Sequence, residues 1–149
     1  MDDTTVVVGV GSGARITLRP RARSHQGAKD YWDGNWIDCT VLVRAGAFRG
    51  EYVACLRSEE FAGFRADLER LYRDLRGKGG FHSMEEWVDI ELEGDGLGHF
   101  TGLCRLKDRA GDGKLLECQL TFDQTDVPEM IGQLRWIDQA FPVVGTEAG

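Results

Sequence analysis

The stretch WVDIELEGDGLGHFTGLCRL, residues 87–106, decides the fold of this chain. Apolar and acidic side chains alternate over residues 87–93, which predicts a β-strand with one buried and one solvated face. Asp95-Gly96 then marks a tight turn, because both central residues of a type I′ hairpin turn need a positive φ. Alternation resumes over residues 100–106. The stretch therefore predicts an antiparallel hairpin.

The same period of two recurs on both sides of this hairpin. Together with it, the recurrences predict about seven strands, at residues 6–10, 15–19, 37–43, 48–56, 87–93, 100–106 and 116–122. Asp33-Gly34 and Asp112-Gly113 are predicted as two further hairpin turns, so the strands are expected to form a meander and not a parallel sheet. The glycines at 9, 11 and 13 do not predict a dinucleotide-binding loop, because an alternating segment follows where that motif requires a helix.

Two segments show helical spacing instead. Ser58 is predicted to cap the first helix, whose apolar side chains are Phe61, Phe64, Leu68, Leu71 and Leu75. The glycines from Gly77 to Gly80 are expected to end this helix and break the chain. A closing helix is predicted over about residues 126–140, with Pro128 in its first turn. This order predicts a single α+β domain over residues 1–149, with a mostly antiparallel sheet and both helices packed on one of its faces.

Charge is distributed unevenly along the chain. The net charge is −7, with 25 acidic and 18 basic residues. Residues 1–29 contain two acidic residues, Asp2 and Asp3, and five basic ones. The chain from Asp30 onward therefore contains 23 acidic residues and 13 Lys and Arg. So acidic a body disfavours nucleic-acid binding and suits a basic protein partner.

The two ends of the chain are expected to lie outside the main domain pattern. Residues 1–29 are interpreted as an N-terminal hairpin followed by a basic connector, and residues 143–149 as a frayed tail. A secretory signal and a membrane span are not predicted, and the protein is expected in the cytoplasm. The cysteines lack any CxxC pair, and buried free thiols are expected at positions 39, 55, 104 and 118.

Catalytic and metal-binding patterns are weak. His25, His82 and His99 are scattered without metal-ligand spacing, so neither a metal nor a cofactor is expected. Asp89, Glu91 and Glu93 share one face of a predicted strand at intervals of roughly 6.5–7 Å. These carboxylates have two readings: acid/base chemistry on a sugar, or the solvated face of a sheet balanced by Arg105, Lys107 and Arg109 on the next strand.

Aromatic and acidic residues surround the turn in DYWDGNW, residues 30–36. Trp32 and Trp36 can both pack over the sheet edge, or one indole can stay exposed as an interface anchor ringed by acids. Tyr31, Trp32, Asp33 and Trp36 are therefore candidates for partner contact, with Asp89, Glu91 and Glu93 as an acidic stripe. Trp136 lies off the apolar face of the closing helix and is a further candidate anchor.

Four segments resemble a known family in order and content. They are DYWDGNW (30–36), FRGEYVACLRSEEFAGFRADLERLY (48–72), ELEGDGLGHF (91–100) and FDQTDVPEMIGQL (122–134). Over about residues 30–141 the chain resembles the wall-associated-protein immunity (WapI-like) family of small bacterial proteins. The resemblance implies an immunity protein that binds a cognate toxin domain, often a nuclease, in a contact-dependent toxin system. It supplies no catalytic residues.

The expected function is thus stoichiometric neutralisation of a basic toxin domain, with no enzymatic activity and no nucleic-acid or membrane binding. Two alternatives stay open at the level of sequence. One is a small binding domain or carboxylate-based enzyme that acts on a polar ligand such as a sugar. The other is a homo-oligomeric scaffold that uses the same aromatic residues for self-association.

Overall fold

The computed structural model describes residues 4–10 and 13–148, and within these ranges eight strands form two antiparallel sheets. Sheet 1 contains β1 (Val6–Val8), β2 (Arg15–Arg23), β3 (Trp36–Ala45) and β4 (Phe48–Arg57). Sheet 2 contains β5 (Arg76–His82), β6 (Val88–Asp95), β7 (His99–Lys107) and β8 (Leu115–Asp123). The helices are α1 (Tyr31–Gly34), α2 (Ser58–Asp74) and α3 (Val127–Ala140), and a short 3-10 turn at Gln124–Asp126 leads into α3.

Four strands followed by a helix occur twice, since α2 follows sheet 1 and α3 follows sheet 2. The two helices pack against each other, α2 also lies along β5, and α3 contacts β1. Each long helix therefore covers the edge strand of the sheet that it does not follow. One hydrophobic core draws on both sheets and both helices. The predicted α+β class is confirmed, but the eight strands divide between two sheets where about seven strands and one sheet were expected.

The glycine-rich segment after α2 is the strand that sequence analysis missed. Residues predicted as a break form β5, which pairs with β6 over its whole length. A Cβ on Gly80 would lie 1.7 Å from the backbone oxygen of Ile90, so this register requires glycine. The carboxylate of Asp67 on α2 accepts the Gly80 N–H at 3.0 Å, and Arg70 donates to the Lys78 carbonyl at 2.6 Å. Side chains of α2 thus bond the backbone of this edge strand.

Three further expectations change at the level of local structure. Asp33-Gly34 is not a hairpin turn but the end of α1, which Asp30 caps by accepting the Asp33 N–H at 3.0 Å. The predicted basic connector begins later than expected, because β2 continues with a bulge near Pro20 as far as Arg23. Val144 in the expected frayed tail exchanges two hydrogen bonds of 2.9 Å with the Asn35 side chain.

Helix α2 spans Ser58–Asp74, so Ser58, which was predicted as the N-cap, is its first helical residue and Arg57 is the N-cap. Its end differs in detail, since Leu75, with φ of 59°, takes the left-handed capping conformation that was expected of a glycine. Among the described helices, none has the length and apolar content needed to cross a membrane.

Candidate functional site

A buried arginine organises the aromatic segment at residues 31–36. Arg57 is the last residue of β4, and its side chain is fully buried. Its guanidinium donates to the carbonyl oxygen of Trp32 at 2.9 Å and to that of Tyr31 at 2.7 Å, and its Nε pairs with Glu59. Carbonyl groups of a four-residue helix have few partners within the helix itself, so the guanidinium supplies the donors that α1 lacks.

Three aromatic rings surround the same guanidinium. Its central carbon lies 4.7 Å from the ring centre of Trp36, 5.2 Å from that of Tyr31 and 5.5 Å from that of Trp32. Tyr31 and Trp32 also meet edge to face, with ring centres 5.0 Å apart. Cation–π contacts of a desolvated guanidinium contribute about 2 kcal/mol. We call Arg57 with these three residues the aromatic cluster.

The cluster includes three of the four predicted contact residues in this segment, and it divides them by exposure. Tyr31 and Trp36 are half-buried and pack on the guanidinium, which agrees with the alternative in which the aromatic residues have a packing role. Trp32 remains 49 % exposed, and its neighbour Asp33 is exposed as well. Because its backbone and ring are both held from behind by Arg57, the Trp32 indole is a rigid, half-exposed apolar surface beside a carboxylate.

Sequence analysis missed Arg57. An arginine at the end of an alternating strand, just before a helix, resembles any solvated surface residue, and the aromatic residues lie 21–26 positions away. Only the pairing of β3 with β4, which places Trp36 directly opposite Arg57, brings the cation to the rings.

The chain near the C-terminus closes the other side of α1. Arg23 donates to the Gly34 carbonyl at 2.7 Å and to the Pro142 carbonyl at 2.5 Å, which ties the end of β2 to the segment after α3. Asn35 is fully buried and bonds Tyr31 and Val144 through its amide nitrogen. The position of α1 therefore depends on residues more than 100 positions away in sequence.

Glu60 connects the aromatic cluster with sheet 2. One of its carboxylate oxygens accepts a hydrogen bond from the backbone N–H of Arg57 at 2.8 Å. The other accepts one from the backbone N–H of Met84, in the loop between β5 and β6, at 2.7 Å. Burial raises the pKa of this carboxyl group to about 7, although both hydrogen bonds oppose the shift. The loop held by Glu60 leads directly into β6, which carries the acidic stripe.

The acidic stripe, defined as Asp89, Glu91 and Glu93, lies on the outer face of sheet 2. Val88, Ile90 and Leu92 alternate with it and are fully buried, so the predicted two-faced strand is present. The stripe borders an open depression of about 550 Å³ that reaches across β7 to β8. Glu91 is 53 % exposed, and such an open face lacks the enclosure that a general acid requires.

Basic residues near the stripe differ from the expected set. His82 contacts Asp89, and Lys78 on β5 lies 4.0 Å from Glu91. The three expected partners pair elsewhere: Arg105 with Glu117 at 3.1 Å, Lys107 with Glu86 at 3.6 Å and Arg109 with Asp112 at 3.3 Å. These three cations therefore form their ion pairs with other carboxylates, although Arg105 on β7 is the register partner of Asp89.

The remaining candidates are dispersed over the fold. Trp136 is 58 % exposed on α3. All four cysteines are free; Cys39 and Cys104 are buried, whereas Cys55 and Cys118 are only half-buried. Within residues 4–10 and 13–148, histidine, cysteine and acidic side chains form no group of three or more that could hold a metal ion.

Comparison with known proteins identifies the family. The model of the immunity protein WapI-like family matches residues 9–142, which includes both sheets from β2 onward, the aromatic cluster and the acidic stripe. Neither the curated proteins nor the solved structures contained a match. The match covers nearly the whole chain and extends further toward the N-terminus than the resemblance at residues 30–141. The chain therefore belongs to the WapI-like family of immunity proteins, and its membership implies a protective role against a toxin.

Proposed function

We propose that this protein neutralises a cognate toxin domain by binding it stoichiometrically, with no reaction catalysed by its own side chains. The family match over residues 9–142 carries this proposal. The toxin is a basic domain of a contact-dependent system, and a nuclease domain fits that description because nucleases bind a polyanion. The complex forms in the cytoplasm, where the immunity protein meets the incoming toxin.

The Trp32 indole supports a role as the central anchor of the interface. Tryptophan is enriched among residues that dominate binding energy, and a rigid side chain loses little conformational entropy when it is covered. The bonds from Arg57 to the Tyr31 and Trp32 carbonyls hold the anchor before any partner arrives. Asp33 lies next to it as the first acidic contact. Tyr31 and Trp36 contribute by shaping the anchor from behind.

The acidic stripe supports the proposed charge of the partner. An acidic surface increases the association rate of a basic protein, and carboxylates along a strand can occupy sites that would otherwise bind phosphates. Glu60 fixes the loop that leads into β6, so α1 and the stripe are parts of one connected framework. We infer that the toxin contacts both.

Co-expression tests the proposal in cells. A candidate toxin domain, taken from the C-terminus of a large secreted protein where the neighbouring reading frame encodes one, is expressed with and without this chain, and growth is recorded. We expect growth arrest by the domain alone and rescue by the native protein. Rescue should weaken with Trp32→Ala and persist with Tyr72→Ala, a matched control because Tyr72 is 47 % exposed on α2. Arrest that the native protein does not relieve would contradict the proposal.

The stripe is tested by removing its charge and measuring the association rate of the purified protein and toxin domain at several salt concentrations. Glu91→Gln combined with Glu93→Gln should slow complex formation and make it less sensitive to salt, since rim charges act mainly on association. Asp74→Asn with Glu129→Gln removes the same charge elsewhere and should have no such effect. An equal decrease in association rate for the two double variants would show that the rate depends on net charge and not on the position of the stripe.

A further inference from the structure

Three arginines on sheet 1 lie side by side on neighbouring strands. Arg15 on β2 is the register partner of Arg44 on β3, and Arg44 is the register partner of Arg49 on β4. Register partners share a face of the sheet, so all three side chains belong to the outer face, opposite the core face that holds Ile16 and Val43. We call these three residues the arginine row.

The row is electrostatically unfavourable in the isolated protein. Like charges directly opposite each other on paired strands destabilise a sheet. In the part of the chain that the structure describes, no carboxylate lies within ion-pair distance of these guanidinium groups. Arg44 and Arg49 are exposed, and Arg15 is half-buried. Their hydrogen-bond donors are thus available to an anion.

The surroundings of the row are those of a protein contact surface. The row borders a shallow depression of about 460 Å³ that is also lined by Leu42, the half-buried Val7 and one exposed carboxylate, Glu51. Val53 lies on the same outer face of β4 and is 66 % exposed. Apolar side chains next to neighbouring cations offer both contact area and charge, which suits a protein segment better than a phosphate chain.

We propose that the outer face of sheet 1 is a second docking surface, which binds an acidic protein segment through two or three clustered carboxylates. Each guanidinium can bind one carboxylate in a bidentate manner. The row spans about 10 Å across two strand intervals, which matches a small carboxylate cluster and is short for a nucleic-acid strand. The proposal does not rest on toxin binding, which we assign to α1 and sheet 2.

Fluorescence anisotropy with defined probes tests this surface on the full chain. The probe is a fluorescent peptide in which glutamate alternates with serine, and the controls are the same peptide with glutamine and a single-stranded RNA oligonucleotide. We expect the native protein to bind the glutamate peptide in a salt-sensitive manner and to bind both controls more weakly. Arg44→Gln should weaken binding of the glutamate peptide about tenfold, as expected for loss of a charge-assisted bond. Arg73→Gln, an exposed arginine on α2, should leave it unchanged.

Folding is checked on the same variants. Because Arg44→Gln removes the middle of three like charges, its melting temperature should equal or exceed that of the native protein. Should it melt lower, Arg49→Gln on the edge strand gives the same binding test. The proposal is overturned if the native protein does not bind the glutamate peptide, if Arg44→Gln and Arg49→Gln bind it as tightly as the native protein does, or if the RNA binds more tightly than the peptide.

Discussion

Arg57 and Trp36 are register partners on β4 and β3, and the guanidinium carbon of Arg57 lies 4.7 Å from the centre of the Trp36 ring. This pair places a fully buried cation at the base of α1, where it bonds two carbonyl groups and one carboxylate. The conformation of α1, and with it the exposed face of Trp32, follows from this pairing.

Replacing Arg57 with leucine should destabilise the protein strongly. The carbonyls of Tyr31 and Trp32 would lose their donors, and Glu59 would lose its counter-ion in a partly buried position. Breaking a buried charge pair from one side costs about 3–5 kcal/mol, and each kcal/mol lowers the melting temperature of a domain of this size by roughly 2–4 °C. Chemical denaturation measures the loss directly.

Arg73→Leu is the matched control for this change, since its side chain is 70 % exposed. Its denaturation midpoint should equal that of the native protein. A midpoint for Arg57→Leu as high as that of the control would show that the cluster does not depend on its cation.

Two glycine-to-alanine substitutions should have opposite effects. At Gly80 the added Cβ would meet the Ile90 carbonyl oxygen at 1.7 Å, so β5 must move away from β6. We expect a loss of about 1–3 kcal/mol, as for other overpacked sites. At Gly63, inside α2, nothing lies within 4 Å, and alanine should stabilise the helix by about 0.5–1 kcal/mol. Urea denaturation of both variants decides; a stable Gly80→Ala protein would contradict the described register of β5.

Glu60 should make stability depend on pH in an identifiable window. Burial raises its pKa from 4.5 to about 7 in the folded state, so the folded protein binds more protons than the unfolded chain between these values. The contribution of Glu60 to the free energy of unfolding is therefore fully present below about pH 4.5. It is lost as the pH rises through about 7 and the carboxyl group of the folded protein ionises. Comparing unfolding free energies of the native protein and Glu60→Gln across this range isolates the contribution.

The glutamine variant should show the flatter profile, although it loses one of the two backbone hydrogen bonds at every pH. Identical pH profiles for the two proteins would mean that Glu60 titrates normally.

Cys118 should react first among the four cysteines. It is the register partner of Cys104 on β7, and the neighbouring Cys104 thiol lowers the pKa of Cys118. The proximity of Cys118, together with burial, raises the pKa of Cys104, and burial raises that of Cys55. Because the thiolate is the reactive form, brief alkylation followed by mass spectrometry should find the label on Cys118. Earlier labelling of Cys55 would contradict this order.

The sequence was informative for elements whose own residue spacing marks the face that becomes buried. The alternation of Val88, Ile90 and Leu92 with three acids predicted the two faces of β6, and the helical spacing of apolar residues predicted the buried face of α2. In both cases one element determines its own buried face. These predictions needed no knowledge of a neighbouring strand.

The sequence was misleading where distant residues determine the local structure. The first five residues of β5 are all glycine or basic and do not predict a strand, but this strand is stabilised by β6 and by Asp67 and Arg70 on α2. Asp33-Gly34 has the composition of a hairpin turn, yet bonds from Arg23, Arg57 and Asn35 hold it in a helix. The structure thus brings the three aromatic candidates together, while the arginine that positions them was not predicted.

Titration of the toxin domain's activity with this protein tests the central claim most directly. If inhibition is stoichiometric and anchored by Trp32, activity should fall linearly to zero at one equivalent of native protein. With Trp32→Ala the curve should become shallow, while the melting temperature stays within a few degrees of the native value. Inhibition that is complete far below one equivalent would reveal turnover and contradict the account, as would an unchanged curve for Trp32→Ala.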